Sequence, residues 1–197
     1  MNRVLGLIVV IPLLSSAAAA ADGVWTLRER FCVSVDGARQ CSRGSEDFMF
    51  FEGRAYYRPG ADDYWSEAGT VTTKGKRVRV QVTREGIGRV VARHAGIDVS
   101  DYLQDFSFTY AGRVQGTRIV DGKARINLGL EVQGERHRIR GAATFAARRI
   151  GDAYPIPPPD PYFGELSGVP SRGSIEPGAF STLKSAVRDL VGWPRAR

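Results

Sequence analysis

The chain has 197 residues, of which 28 are Lys or Arg and 21 are Asp or Glu, for a formal charge of +7, and it carries only two cysteines. That length suits one domain plus a tail, with a core that does not depend on many staples. The basic balance favours anionic partners such as lipid headgroups, cell-wall polymers or acidic ligands, and with no binding motif in an exported chain it speaks against nucleic acid.

In chain order, "MNRVLGLIVVIPLLSSAAAAADG" opens with Arg3, continues with an apolar run from Val4 to Leu14, and ends in small residues. This is the layout of a secretory signal peptide over residues 1–20, with an A-x-A site at Ala18 to Ala20. The run falls short of the roughly 20 residues that a spanning helix needs, and no cysteine follows for a lipid anchor. The expected location is therefore periplasmic or secreted.

From Val24 to about Ile150 the dominant signal is alternation, the mark of half-buried strands. Trp25, Leu27, Phe31, Val33 and Val35 share one face of the first strand, with Arg28, Arg30 and Ser34 on the other. "KRVRVQV", "FSFTY", "ARINLGLEV" and "HRIRGAATF" repeat the pattern, and Asp36-Gly37, Arg58-Pro59-Gly60, Lys74-Gly75, Asp121-Gly122 and Gly134 read as turns between strands. The fold class is all-β, an antiparallel meander of about eight strands over residues 21–152 that closes into a barrel, a sandwich being the alternative. Residues 84–97 stay open between helix and strand, and Ser100 is expected to cap a short helix from Asp101 to about Gln104.

From Ala153 the composition changes. "YPIPPPDPYFG" reads as a polyproline strap, long enough at about 3.1 Å per residue to cross one barrel face. Residues 153–197 form a Pro-rich tail ending in an amphipathic helix over about 179–191. That helix either docks on the barrel or touches a membrane or partner.

The cysteines flank the Asp36-Gly37 turn. A two-residue turn there pairs 35 with 38, 34 with 39, 33 with 40 and Cys32 with Cys41, on a rung whose Cα spacing admits a disulfide. Two thiols without nearby histidines make no zinc site. The staple should lie on the face opposite Trp25, Phe31 and Val33.

No hydrolase, metalloprotease, nucleotide-binding or dinucleotide motif is present, so the chain reads as non-catalytic, with no cofactor and no metal. "STLK" at Ser181 to Lys184 matches an acyl-enzyme motif by chance, without its companions. Asp98, Asp101 and Asp105 suit a helix start, and Asp62-Asp63 suit a solvated turn. His94 lies in the open segment. Candidate ligand-binding residues are Phe48, Phe50, Tyr56, Tyr57, Tyr64 and Trp65, a dense aromatic run that also includes Phe51, together with His137 on an inward strand position. Candidate contacts for an anionic surface are Arg118, Arg125, Arg136, Arg138 and Arg140.

"GVW" at Gly23 to Trp25, opening the first strand, resembles the G-x-W of lipocalins and related calycins, in which an arginine near the last strand covers the tryptophan; Arg148 or Arg149 stands in that place here. The resemblance implies an eight-stranded up-and-down barrel around a small ligand. Three functional readings follow. The first is an exported barrel binding a small apolar or anionic ligand. The second is an interaction protein holding an envelope component through its basic face and C-terminal helix, with peripheral membrane contact. The third is a small outer-membrane barrel.

Overall fold

A computed structural model describes residues 21–58, 64–95, 99, 102–132 and 134–156, and of residues 92–95 the backbone only. The strands are β1 (Gly23–Val35), β2 (Ala38–Phe51), β3 (Arg54–Arg58), β4 (Ser66–Lys74), β5 (Arg77–Val82), β6 (Leu103–Gln115), β7 (Arg118–Val132) and β8 (Glu135–Gly151), with one helix, α1 (Arg84–Ala95), between β5 and β6. Each strand pairs antiparallel with its neighbour in sequence, and β8 returns to β1, so the sheet is a closed barrel. Closure gives every strand a neighbour on both sides over at least part of its length.

Alternation decides what fills the barrel. On β1 the positions Trp25, Leu27, Phe31 and Val33 are buried while Arg28 and Arg30 are exposed. On β5 Val78, Val80 and Val82 point in, and on β7 Ile126, Leu128, Leu130 and Val132 do the same. Trp25 sits near one end, its Nε1 donating to the Ala21 carbonyl at 2.8 Å. At the opposite end α1 packs against β4 with Ile87, Val90 and Val91 buried. Thr83 caps that helix by accepting from the Gly86 N–H at 3.0 Å. Gly86 lies so close to β4 that a Cβ there would collide with the Ala68 carbonyl.

Two expectations about local structure are corrected. The helix lies at Arg84–Ala95; of the short helix expected from Asp101 to Gln104, Tyr102 forms only a turn, its N–H donating to the Val99 carbonyl at 3.1 Å, and Leu103 and Gln104 already belong to β6. Leu103 is drawn into the sheet because it pairs with Leu130 and is buried there. The chain reverses between β6 and β7 at Gly116, with φ of +57°, and not at Asp121-Gly122. Asp121, at φ 55°, instead lies within β7 where its register with β8 shifts between Ile119 and Gly122. A positive-φ residue beside glycine suits a bulge as well as a turn, which is why the dipeptide misleads. The signal segment, Pro59 and Gly60, Asp62 and Asp63, Asp98, Ser100 and Asp101, the tail from residue 157, its helix over about 179–191 and the STLK stretch lie outside the described residues.

The β1–β2 hairpin forms in the expected register. Asp36 and Gly37 both have positive φ, at 46° and 97°, as a type I′ turn requires. Val35 pairs with Ala38, and Cys32 with Cys41, whose Cα atoms lie 4.0 Å apart beneath a disulfide on the outer face. The bond closes a loop of sequence separation 9. Loop-closure entropy for so short a loop amounts to about 2–3 kcal/mol. Replacing both cysteines with serine should lower the unfolding free energy by roughly that amount in urea titrations without changing the far-ultraviolet circular dichroism of the folded protein.

Candidate functional site

Two regions could carry function, the barrel interior and its outer face. The interior is occupied by its own side chains. Phe48 packs against Tyr57 at 5.5 Å and Tyr110 at 5.2 Å between ring centroids, and Tyr110 in turn against Phe108 at 5.0 Å and Phe145 at 5.6 Å. Nearer Trp25, Phe50 lies 6.4 Å from the indole. Such offset and edge-to-face contacts build a continuous aromatic ladder. The void among Leu27, Phe48, Phe50, Tyr110 and Phe145 measures about 10 Å³. Room for one water is the lower limit of such a space, against several hundred Å³ for a ligand pocket.

The sequence candidates for ligand contact therefore separate. Phe48, Phe50 and Tyr57 are core residues inside the ladder. Tyr56, half-buried, alternates with the inward Ala55 and Tyr57 and so lies on the outer side of β3, and Tyr64 is 72% exposed. Trp65 carries the Arg58 guanidinium 4.5 Å over its ring and donates from Nε1 to the Tyr154 hydroxyl at 2.6 Å. Arg58 also pairs with Asp47 at 3.0 Å, so this group ties the residues after β8 to β2 and β3. His137 faces the barrel axis by parity but stands at the mouth, its Nδ1 2.7 Å from Asp36 Oδ2 in the β1–β2 turn. The Arg138 backbone N–H, donating to Asp36 Oδ1 at 2.9 Å, and then His137 hold the Asp36 carboxyl below its ordinary value. Of the remaining early candidates, His94 lies within α1, and Asp105 is at the start of β6, paired with Arg136 at 2.8 Å rather than serving a helix.

The interior also holds polar groups that alternation alone did not single out. Glu29 and Glu46 occupy inward positions of β1 and β2, 5% and 2% exposed. They are diagonal neighbours, since Leu27 faces Glu46 and Glu29 faces Gly44. Burial, and after it the Glu29 and Glu46 carboxylates and Tyr57, push the Tyr110 hydroxyl well above its ordinary value of 10.0.

The outer face is different in kind. The outward positions of β1 carry Arg28 and Arg30, and those of β2 carry Arg39 and Arg43. On β8 they carry Arg140 and Arg148, and on β7 Lys123 and Arg125. Most of the outward positions between these residues are Cys, Ser, Ala, Thr and Asn, and the acids nearest them, Asp47 on β2 and Asp121 on β7, pair with Arg58 and Arg113 instead of with any of the eight. Among the described residues none of these eight cations forms an ion pair. Arg30 stands directly opposite Arg43, and Arg118 opposite Arg148, placements that cost stability in a sheet. Of the five arginines singled out from sequence, Arg125 and Arg140 line a common groove, Arg138 is exposed further along β8, Arg118 sits at the start of β7, and Arg136 is engaged by Asp105.

Two grooves indent this face. One, of about 450 Å³, runs over the Cys32–Cys41 disulfide between Arg30, Arg39, Lys123 and Arg125. The other, of about 430 Å³, lies among Ser107, Arg125, Asn127 and Arg140. The outward charge and inward apolar packing are the reverse of the arrangement a bilayer requires of a spanning barrel. No described helix is long and apolar enough to cross a membrane, and the disulfide fits an oxidising compartment such as the periplasm or the cell exterior.

Comparison of the chain with known protein families, with curated proteins and with solved structures returned no match.

The Tyr110 environment predicts a pH dependence. Below its ordinary value of 10.0, folded and unfolded chains both hold the proton. As pH rises past that value the unfolded chain ionises while the folded barrel does not, so stability falls. Unfolding free energies measured from about pH 9 to pH 11 should decline less steeply in Y110F than in the parent protein.

Proposed function

We propose that the protein is an exported, non-catalytic barrel that works from its outside, holding an anionic component of the cell envelope against the basic face of β1, β2, β7 and β8. The observation that carries this reading is the set of eight outward cations, none of them in an ion pair among the described residues, with Arg30 set directly opposite Arg43. A fold under selection for stability alone would alternate the signs. Export draws support from the N-terminal signal layout and from the disulfide. The filled interior is what moves the preferred site from the lumen to the surface.

Fractionation of the native host tests this directly. The protein should sediment with envelope fragments at low ionic strength and leave them in a wash of about 0.5 M salt, where the screening length falls to a few ångströms. Recovery in the soluble fraction without any wash, or retention until detergent is added, would overturn the proposal.

A small-ligand carrier is the second reading, and one observation favours it. Trp25 is buried at the end of an eight-stranded meander and is the register partner of Arg149 on β8, the arrangement that the lipocalin resemblance implies. This reading needs the aromatic ladder to part. Native mass spectrometry of protein purified gently from its own host should then find retained small-molecule mass, and a bare polypeptide mass would sink it.

A further inference from the structure

Resting on the basic-face reading, the geometry points to a charged glycan, an acidic polysaccharide chain, as the partner, seated in one trough that crosses the outer barrel wall. The two grooves share Arg125 and Ala142, so they are continuous rather than separate dimples. Their floor is low because β8 presents Gly141, Ala142 and Thr144 where the flanking strands raise arginine and lysine side chains. The trough reaches from Arg39 on β2 across β1, β8 and β7 to Ser107 on β6. Five adjacent strands at about 4.8 Å spacing give it a length of roughly 19 Å.

That shape selects among anions. A bilayer surface is flat on this scale and would touch the tips of the cations without reaching the floor. An extended chain can lie along the trough and engage several cations at once. The floor also offers Ser107, Asn127 and Thr144, all exposed, whose hydroxyl and amide groups can exchange hydrogen bonds with sugar hydroxyls. A bare polyphosphate would leave that donor and acceptor capacity unused. Uronate or sulfate groups would meet Arg30, Arg125 and Arg140, whose planar guanidinium groups match such oxyanions in bidentate geometry.

The full mature chain should be titrated with polygalacturonate, long-chain polyphosphate and phosphatidylglycerol vesicles, each at several salt concentrations. Polygalacturonate is expected to bind most tightly. R125A/R140A should weaken it about tenfold and reduce the slope of log Kd against log salt by about 2, one for each lost contact. R77A/R79A removes the same charge from β5, outside the trough, and should change binding by less than about twofold, near the level at which screened surface charges matter little. A142W fills the trough at unchanged charge and should weaken polygalacturonate while leaving vesicle binding intact. Outward positions make these variants foldable, which thermal melts would verify.

Equal losses in R125A/R140A and R77A/R79A would reduce the effect to net charge and overturn the trough. Polyphosphate binding tighter than polygalacturonate would overturn the glycan assignment. Binding of vesicles but not polygalacturonate would overturn the trough and spare the basic-face reading, whereas binding of none of the three would overturn both.

Discussion

The pairing of β8 with β1 is the contact on which the rest of this molecule depends. It runs from Val24 opposite Gly151 to Val35 opposite Ile139, and it turns a meander with two open edges into a cylinder. Once the cylinder closes, every strand turns one face inward, and along the middle of the barrel that face is cut off from water. Its alternate residues must then pack together, and the Phe48–Tyr110–Phe145 ladder is the result. The same seam brings the outward arginines of β1 and β2 beside those of β7 and β8, although 75 or more residues separate them in the chain. The interior is therefore closed and the exterior charged for one topological reason.

The ends of the cylinder are finished by different means. Trp25 fills one end and is tied to the Ala21 carbonyl before the strand begins. The other receives α1, capped by Thr83 and seated on β4 through the missing side chain of Gly86. A larger residue at position 86 would favour the helix locally and push it off the sheet, so the packing requirement outweighs helix propensity there.

Much of this was legible in the sequence, for reasons that can be named. Period-two burial is a strong signal in long strands, and Asp36-Gly37 has few alternatives to a tight turn, so the hairpin register and the Cys32–Cys41 pairing could be counted directly. The helix was not legible in the same way. "REGIGRVVARHA" contains two glycines and two consecutive valines, a composition as consistent with a strand, and only its seat on β4 resolves it. Asp121-Gly122 misled because a bulge and a turn ask for the same backbone angles. Glu29 and Glu46 were hidden by expectation: an acidic residue within an apolar stripe is easily read as a break in the pattern rather than as part of it. Arg125 and Arg140 could be placed on one outer face from parity, but Arg30 and Arg39 could join them only once the β1–β8 seam was known.

The position of the disulfide gives it a meaning beyond covalent bracing. On the outer face of the β1–β2 hairpin the rung next to Cys32–Cys41 is the opposed pair Arg30 and Arg43, and Arg39 stands across from Ser34 on the other side. A hairpin carrying so much charge of one sign is pushed apart when ionic strength is low. A bond between sulfur atoms is indifferent to that push, since it is neither screened by salt nor weakened by neighbouring charge. The staple thus holds the hairpin together with its cations unpaired, even where little salt screens them.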